Sequence, residues 1–217
     1  MSDYTSRRTA MVDTQVRPSD VTKFPIIESM LNVPREVFVP LDKREAAYMG
    51  ENLAFDDNRV LLEPRTLAKM LDALDIRKGE LVLDIGSGLG YSAAVIARMA
   101  EAVVAVEDDE ARVAEAQTTL AEQNIDNVVL HHGALSEGAA DHGPYDVIVV
   151  QGGVQELPQN LSEQLKDGGR IACLFMQGAL GDVRIGQKVN GDIVWRSAFN
   201  AGAPVLEGFE TQKAFEL

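Results

Sequence analysis

The chain has 217 residues, of which 46% are hydrophobic and 25% are charged, and its formal net charge is −14. These proportions are typical of a globular protein with a full core and exclude a disordered chain. The negative charge repels nucleic acid and anionic lipid surfaces, so we expect neither a nucleic-acid partner nor a membrane partner.

The first 78 residues predict helices joined by loops. A helix over residues 4–16 is expected to stop before Arg17-Pro18, because proline disfavours helical backbone in the residue before it. Thr22 is a plausible N-cap for a second, short helix. Residues 51–64 change from polar to apolar, which predicts a loop around Asp56–Arg59 and then a buried segment. The apolar spacing of residues 65–74 predicts another helix. Residues 1–78 are thus expected to form an N-terminal helical extension.

From Glu80 onward, predicted strands alternate with predicted helices. Apolar runs indicate five strands, at residues 81–85, 102–106, 128–131, 145–150 and 170–175. Helices are predicted at 109–123 and at 161–165, the second closed by a glycine C-cap at Lys166-Asp167-Gly168-Gly169. A terminal β-hairpin between residues 182 and 199 would turn at Asn190-Gly191. Residues 79–217 are therefore expected to form a three-layer α/β domain with a mostly parallel central sheet and a C-terminal β-hairpin.

A glycine-rich turn follows the first of these strands. The strand ends in Asp84-Ile85, the turn is Gly86-Ser87-Gly88-Leu89-Gly90, and a helix follows. Such a unit begins nucleotide-type α/β domains, whose ligands lie at the carboxyl ends of the strands. A pyrophosphate held by the turn would be repelled by the Asp84 carboxylate, whereas the ammonium and sulfonium of S-adenosylmethionine would be attracted. The third glycine also comes one place too early for the dinucleotide fingerprint. S-adenosylmethionine is therefore the predicted cofactor, and a nicotinamide-dependent oxidoreductase is disfavoured.

A second acid is expected beside this turn. Glu107 ends the second strand, 23 positions after Asp84, where a carboxylate can accept both ribose hydroxyls of an adenosine. Asp108 adds charge at the same place, although an acid here is also favoured by the dipole of the following helix. The alternative is a fold of this kind with no ligand in its site.

Four ordered motifs resemble those of the protein-L-isoaspartate O-methyltransferase family over nearly the whole chain. They are Val33-Pro34-Arg35-Glu36-x-Phe38-Val39-Pro40, the stretch Val82–Tyr91, the stretch Pro144–Val149, and Pro158-x-x-Leu161-x-x-Gln164-Leu165-x-x-Gly168-Gly169-Arg170. The resemblance implies a Rossmann-like class I S-adenosylmethionine-dependent methyltransferase. It also implies repair of isoaspartyl residues by methylation of a damaged aspartyl carboxylate, with S-adenosyl-L-homocysteine as product. The cofactor site implied in this way comprises Asp84, Ile85, Gly86, Ser87, Gly88, Gly90, Glu107, Asp108, Ala134 and Leu135.

The chain departs from the family at its substrate loop. The family pattern Gly-Gln-Thr-x-Ser-x-Pro aligns with residues 58–64, and only Pro64 is kept. The two hydroxyl positions that help to hold the substrate carboxylate are Val60 and Leu62. Near the adenine, Gly133-Ala134-Leu135 has lost an acid, and Gln151-Gly152-Gly153 replaces a run of alanines.

Methyl transfer to a carboxylate needs no general base, because an aspartyl carboxylate is already ionised at pH 7. The reaction needs in-line positioning and exclusion of water. Arg59 has a planar fork that suits a carboxylate, so it is predicted to orient the substrate; the alternative is an exposed loop arginine. The predicted substrate is a protein or peptide carboxylate. The competing hypothesis is a cofactor-binding member that has lost isoaspartate activity and methylates another acceptor or serves regulation or interaction.

Two further expectations concern metals and location. The single cysteine, Cys173, lies in an apolar run and is expected to be buried and inert. His131 and His132 have no cysteine or suitably spaced acid beside them, so no metal is expected. The N-terminus lacks the apolar stretch of a signal peptide, and a cytoplasmic protein is expected. The sequence does not indicate the oligomeric state.

Overall fold

The computed structural model describes residues 3–56 and 58–211. Asp57, in the predicted loop at Asp56–Arg59, lies outside the described residues. The same holds for residues 1–2 and 212–217, at the ends of the two predicted units.

Two short strands, β1 (Leu53–Ala54) and β2 (Val60–Leu61), form an antiparallel hairpin, and a separate seven-stranded sheet forms the centre of the molecule. Its strands are β3 (Leu81–Ile85), β4 (Ala102–Glu107), β5 (Val128–His132), β6 (Tyr145–Val154), β7 (Leu165–Gln177), β8 (Leu180–Val189) and β9 (Asp192–Asn200). Their order is β5-β4-β3-β6-β7-β8-β9. The strands β3 to β7 run parallel, whereas β8 is antiparallel to both of its neighbours. The chain order reverses between β3 and β6, and this switch point is where open α/β sheets bind ligands.

Helices cover both faces of the sheet. They are α1 (Tyr4–Met11), α2 (Phe24–Asn32), α3 (Pro64–Leu74), α4 (Tyr91–Ala97), α5 (Glu110–Glu122) and α6 (Gln159–Gln164). Side chains alternate between the two faces of a strand, so Val82 joins an apolar cluster with the N-terminal helices while Leu83 joins one with α6. The three-layer α/β fold with a mostly parallel sheet is confirmed. In the described part of the chain, no helix is both long and apolar enough to cross a membrane.

The N-terminal helices differ in detail from the prediction. The helix predicted over residues 4–16 is α1 continued by a π-helix at Val12–Val16. Thr22 does not cap α2, and that prediction is wrong. The cap position is Lys23, which makes no side-chain cap bond, and Pro25 lies at the start of the helix. Proline has no N–H to satisfy there, which removes one of the donors that a capping side chain would serve.

The predicted glycine C-cap after α6 is also wrong. The chain passes from α6 directly into β7, because Leu165 has extended backbone and pairs with Tyr145. The next described pair is Val147 with Arg170, so the residues between them form a bulge in β7. Gly168 has a φ of +81°, so this glycine provides the left-handed backbone of the bulge and does not end a helix. The terminal hairpin is confirmed, since β8 and β9 pair across a turn at Asn190-Gly191.

A buried arginine fixes the N-terminal extension to the sheet domain. Arg35 donates to the carbonyls of Ala47 (2.7 Å) and Leu62 (2.8 Å), and its guanidinium stacks on the Tyr91 ring at 4.8 Å. The segment after residue 61 is thereby held against α4. The division into units 1–78 and 79–217 stays a prediction. Cys173 is fully buried in β7, as predicted.

Candidate functional site

The glycine turn between β3 and α4 has the backbone that only glycine adopts readily. Gly86, Gly88 and Gly90 have φ values of +78°, +58° and +95°. The amides of Gly86 and Ser87 donate to the carbonyl of Val106 on β4, at 2.9 and 3.2 Å. The hydroxyl of Ser87 is buried and has no hydrogen-bond partner among the described atoms. The turn is therefore a preformed cradle with one free polar group.

Asp84 lies at the end of β3 and is fully buried. One of its oxygens accepts from Ser92 Oγ (2.6 Å) and the other from Gln151 Nε2 (2.7 Å). Burial raises the pKa of Asp84 to about 6, against the opposing effect of these two hydrogen bonds, and the nearby Glu107 raises it further. Gln151, which the sequence analysis noted only as a departure, thus holds the acid of the turn.

Glu107 ends β4 with its carboxylate against the turn, as its place in the sequence predicts. It accepts from the Gly88 N–H at 2.8 Å. Both oxygens also bind Arg59, at 3.0 Å from Nη1 and 2.6 Å from Nη2, and one binds Arg112 Nε at 2.8 Å. Asp108 binds the same two guanidinium groups, at 2.5 and 3.2 Å. The predicted ribose acceptor is therefore saturated by arginines of its own chain.

Arg59 is not an exposed loop residue, and that alternative is wrong. Its exposed fraction is 5%. It follows β1 (Leu53–Ala54) in a short hairpin and immediately precedes β2 (Val60–Leu61). A methyl group on Gly86 would lie 3.4 Å from Arg59 Nη2. The substrate-orienting role of Arg59 stays a prediction.

The same hairpin places an aromatic ring on the turn. A side-chain carbon on Gly88 would overlap the ring of Phe55. Arg59 and Phe55 thus cover the two glycines, Gly86 and Gly88, whose backbone a ligand would contact. The sequence analysis missed Phe55 because nothing local to the substrate loop indicates a contact with residue 88.

An open cleft of about 910 Å³ remains beside the covered turn. Four of the predicted site residues line it: Arg59, Asp108, Ala134 and Leu135. Asp84 to Gly90 and Glu107 are buried and do not line the cleft.

A segment after β9 covers the turn from the other side. Gly153 binds this segment through both of its backbone groups, donating its N–H to the Pro204 carbonyl and accepting from the Leu206 N–H. Leu206 is buried, and its side-chain carbons lie 2.6 Å from the position that a Cβ atom on Gly152 would occupy. The glycines that replace the family's alanines therefore make room for the C-terminal segment. Sequence reasoning missed Leu206, and no signal in its neighbourhood points to this contact.

The comparisons with known proteins agree with the motifs. The profile of the family described as Protein-L-isoaspartate(D-aspartate) O-methyltransferase (PCMT) matches residues 6–196. The chain belongs to the protein-L-isoaspartate O-methyltransferase family. It is 38% identical over 180 residues to a protein-L-isoaspartate O-methyltransferase 2 of Anaeromyxobacter sp. (strain Fw109-5), covering 83% of this chain and 73% of that one. It is 35% identical over 169 residues to the enzyme of Roseiflexus castenholzii, covering 78% and 77%.

Solved structures of this methyltransferase family share the fold. A protein-L-isoaspartate O-methyltransferase superposes with a TM-score of 0.81 at 27% identity, over 93% of this chain and 66% of that one. The putative enzyme of Plasmodium falciparum, solved in complex with S-adenosyl-L-homocysteine, superposes with a TM-score of 0.79 at 20% identity, over 95% and 99%. The Rossmann-like class I methyltransferase fold is thereby confirmed.

No cluster of three or more metal-binding side chains occurs among the described residues of this methyltransferase. His131 instead stacks edge-on against His142, with ring centroids 5.9 Å apart. The expectation that the chain binds no metal stays a prediction.

Proposed function

We propose that this chain is an S-adenosylmethionine-dependent carboxyl methyltransferase of the protein-L-isoaspartate type, acting on a protein or peptide carboxylate. Family membership supports this, and one observation carries it. The Glu107 carboxylate is fixed against the glycine turn by the Gly88 N–H, where it can accept two ribose hydroxyls once Arg59 has left it. The buried Asp84 carboxylate beside the same turn disfavours a dinucleotide pyrophosphate there.

The residues of the site fit the proposed cofactor once the hairpin tip is moved. The turn supplies close backbone approach at Gly86 and Gly88, and the free Ser87 hydroxyl supplies a hydrogen bond that nothing else in the described structure uses. Ala134 and Leu135 would flank the base in the adjoining cleft. The bound cofactor would supply an electrophilic methyl group.

The protein's own contribution is positioning and exclusion of water. An acceptor carboxylate is ionised at pH 7, so no proton has to be removed. Leu206 and Leu135 both border Gly86 and keep that side of the site apolar. A charged acceptor in such surroundings is poorly solvated and reacts more readily once aligned with the methyl group.

The acceptor side supports a second candidate, a family member that methylates a different acceptor or serves regulation or interaction. Val60 and Leu62 are buried, with exposed fractions of 9% and 1%, and neither can donate a hydrogen bond. The Nη atoms of Arg59 are engaged by Glu107 and Asp108, and only Nε lacks a partner. Among the described residues, positions 60 and 62 therefore offer no donor in place of the two lost hydroxyls.

The test is transfer of a labelled methyl group from S-adenosylmethionine to an isoaspartyl peptide and to the matched aspartyl peptide. We expect base-labile label in the isoaspartyl peptide only, and its loss in Glu107→Ala. Saturable cofactor binding without label in either peptide would favour the second candidate. Absence of both binding and transfer would contradict the proposal. A cytoplasmic location and the absence of a nucleic-acid partner remain predictions from charge and sequence.

A further inference from the structure

We propose that the tip of the β1–β2 hairpin, described at residues 55–56 and 58–59, is a gate that closes the cofactor site, with Arg59 taking the place of the ribose on Glu107. This inference rests on the proposed function, since it concerns cofactor binding at that site. It assigns to Arg59 a role in setting cofactor affinity, in addition to any contact with the substrate.

The first argument is the saturation of the Glu107 carboxylate. A carboxylate offers about four lone-pair positions. In the closed site these are taken by two nitrogens of Arg59, by Arg112 Nε and by the Gly88 amide, and the Asp109 amide lies at 3.3 Å. No position remains for a ribose hydroxyl. A nucleoside can bind Glu107 only after Arg59 has left.

The second argument is space. Arg59 lies on Gly86 and the Phe55 ring lies on Gly88, so the hairpin tip fills the volume directly above the turn. The tip can approach the turn this closely because neither position has a side chain. The adenosyl and methionyl parts of the cofactor would also have to approach the backbone closely at these two glycines.

The third argument is that the tip can open while its base stays in place. The ladder joins Leu53 with Leu61 and Ala54 with Val60, and the tip beyond it is closed by a backbone hydrogen bond from the Phe55 N–H to the Arg59 carbonyl at 2.8 Å. The tip can therefore move as one unit. Below it, Arg35 holds the Leu62 carbonyl, and Asn52 accepts from the Glu63 amide at 2.8 Å. The first bond fixes the end of the hairpin to Arg35, and the second ties the two ends of the hairpin together.

The tip is held to the rest of the protein mainly by side-chain ion pairs. Arg59 pairs with Glu107 and Asp108, and Asp56 pairs with Arg112 at 2.8 Å. When Arg59 leaves, Arg112 still compensates the Glu107 charge, so opening does not strand a buried carboxylate. The closed state also leaves Arg59 Nε and Ser87 Oγ without partners, which limits its stability. Cofactor binding and closure therefore compete, and the apparent affinity falls with the fraction of closed molecules.

Calorimetric titration of the full chain with S-adenosyl-L-homocysteine tests the gate. This ligand carries one positive and one negative charge, so a change in the protein's net charge has little effect on its binding. We expect Arg59→Ala to bind at least tenfold more tightly than wild type, and Phe55→Ala also to bind more tightly. Arg77→Ala, which removes an equally charged but 74% exposed side chain, should match wild type within twofold. Equal or weaker binding by Arg59→Ala would overturn the gate.

Hydrogen exchange on the wild-type chain gives a test that does not depend on a variant folding. With S-adenosyl-L-homocysteine added, peptides covering residues 53–61 should exchange faster while those covering residues 84–91 exchange more slowly. Protection of both regions would mean that the ligand binds under a closed hairpin, and the gate would be rejected. If wild type binds the ligand but Arg59→Ala binds it no more tightly, the gate is contradicted while the proposed function stands. If neither wild type nor any variant binds the ligand, the proposed function fails and the gate falls with it.

Discussion

Replacing Asp84 by asparagine should make the protein more stable at neutral pH. The carboxylate is fully buried, and it accepts one hydrogen bond from Ser92 and one from Gln151. An asparagine can keep both bonds, because the Ser92 hydroxyl can accept as well as donate. The substitution therefore removes a buried charge while keeping one hydrogen bond to each of the two partners.

The magnitude follows from the pKa of Asp84, which burial raises from 3.8 to about 6. A folded-state pKa above the unfolded one means that the charge costs stability at every pH above the unfolded value. The cost is absent well below pH 3.8, grows as the pH rises to about 6 and is constant beyond that. It amounts to about 3 kcal/mol at pH 7.5 and about 2 kcal/mol at pH 5.2. For a chain of this length the neutral-pH gain corresponds to a rise in Tm of about 6–12 °C.

The assay is urea unfolding of wild type and Asp84→Asn at both pH values. The lower value stays above the sequence pI of about 4.6, where lost charge repulsion would promote association. Asp146→Asn is a matched control for which the expected change in stability has the opposite sign. Burial alone would raise the pKa of Asp146, but hydrogen bonds from Lys166 and the Leu81 amide outweigh it and lower the pKa. The Asp146 variant should therefore be less stable than wild type by the same amount at both pH values, because a lowered pKa gives stability that is lost only below about pH 3.8.

An Asp84→Asn variant that is less stable than wild type at pH 7.5 would refute this reasoning. So would a gain that does not shrink at pH 5.2, because the effect would then not come from ionisation. A confirmed gain would show that the chain keeps a costly charge at its glycine turn, as expected for a group retained for a ligand.

Three further substitutions or probes test the packing. Gly88→Ala should cost about 1–2 kcal/mol for the left-handed backbone, plus the overlap with Phe55, and in urea unfolding Phe55→Ala should relieve only the second part. Arg35→Met should cost about 2–5 kcal/mol by the same measure, because it leaves two buried carbonyls, including that of Leu62, without donors. Cys173 should not react with a thiol reagent until the chain is unfolded, because burial raises its pKa and blocks access.

Each of these three has a clear contrary result. Additive effects of the Gly88 and Phe55 substitutions would deny their contact. An Arg35 variant as stable as wild type would show that its hydrogen bonds do not anchor the substrate loop. Rapid labelling of Cys173 in the native protein would contradict its burial.

The strands that carry the site could be predicted closely, because each is a continuous apolar run bounded by polar residues. The predicted ends of β3 agree with the structure, and Glu107 lies at the end of β4 as its position implies. Local patterns do not fix strand order, and the placement of β8 and β9 beyond β7 emerged only from the structure. The misplaced cap at Gly168 shows the same limit, since a positive-φ glycine serves a strand bulge as well as a helix end.

The covering of the cofactor site could not be predicted from the sequence. Arg59 and Glu107 are 48 positions apart, and Leu206 reaches Gly152 from a segment with no regular pattern. Such contacts depend on how separate elements pack, and a single sequence carries no sign of them. Arg112 is the exception, because it lies in the first turn of α5 just after Glu107 and could have been considered as its partner.

The central claim is that the glycine turn and Glu107 bind an adenosyl cofactor, and that the hairpin tip must leave this site before the cofactor can bind. The most direct measurement is a crystal structure of the full chain bound to S-adenosyl-L-homocysteine. We predict both ribose hydroxyls on the Glu107 carboxylate, with Arg59 moved out of hydrogen-bonding distance and Arg112 still in place. A complex in which the Arg59–Glu107 ion pair persists and the ligand lies elsewhere would contradict the account.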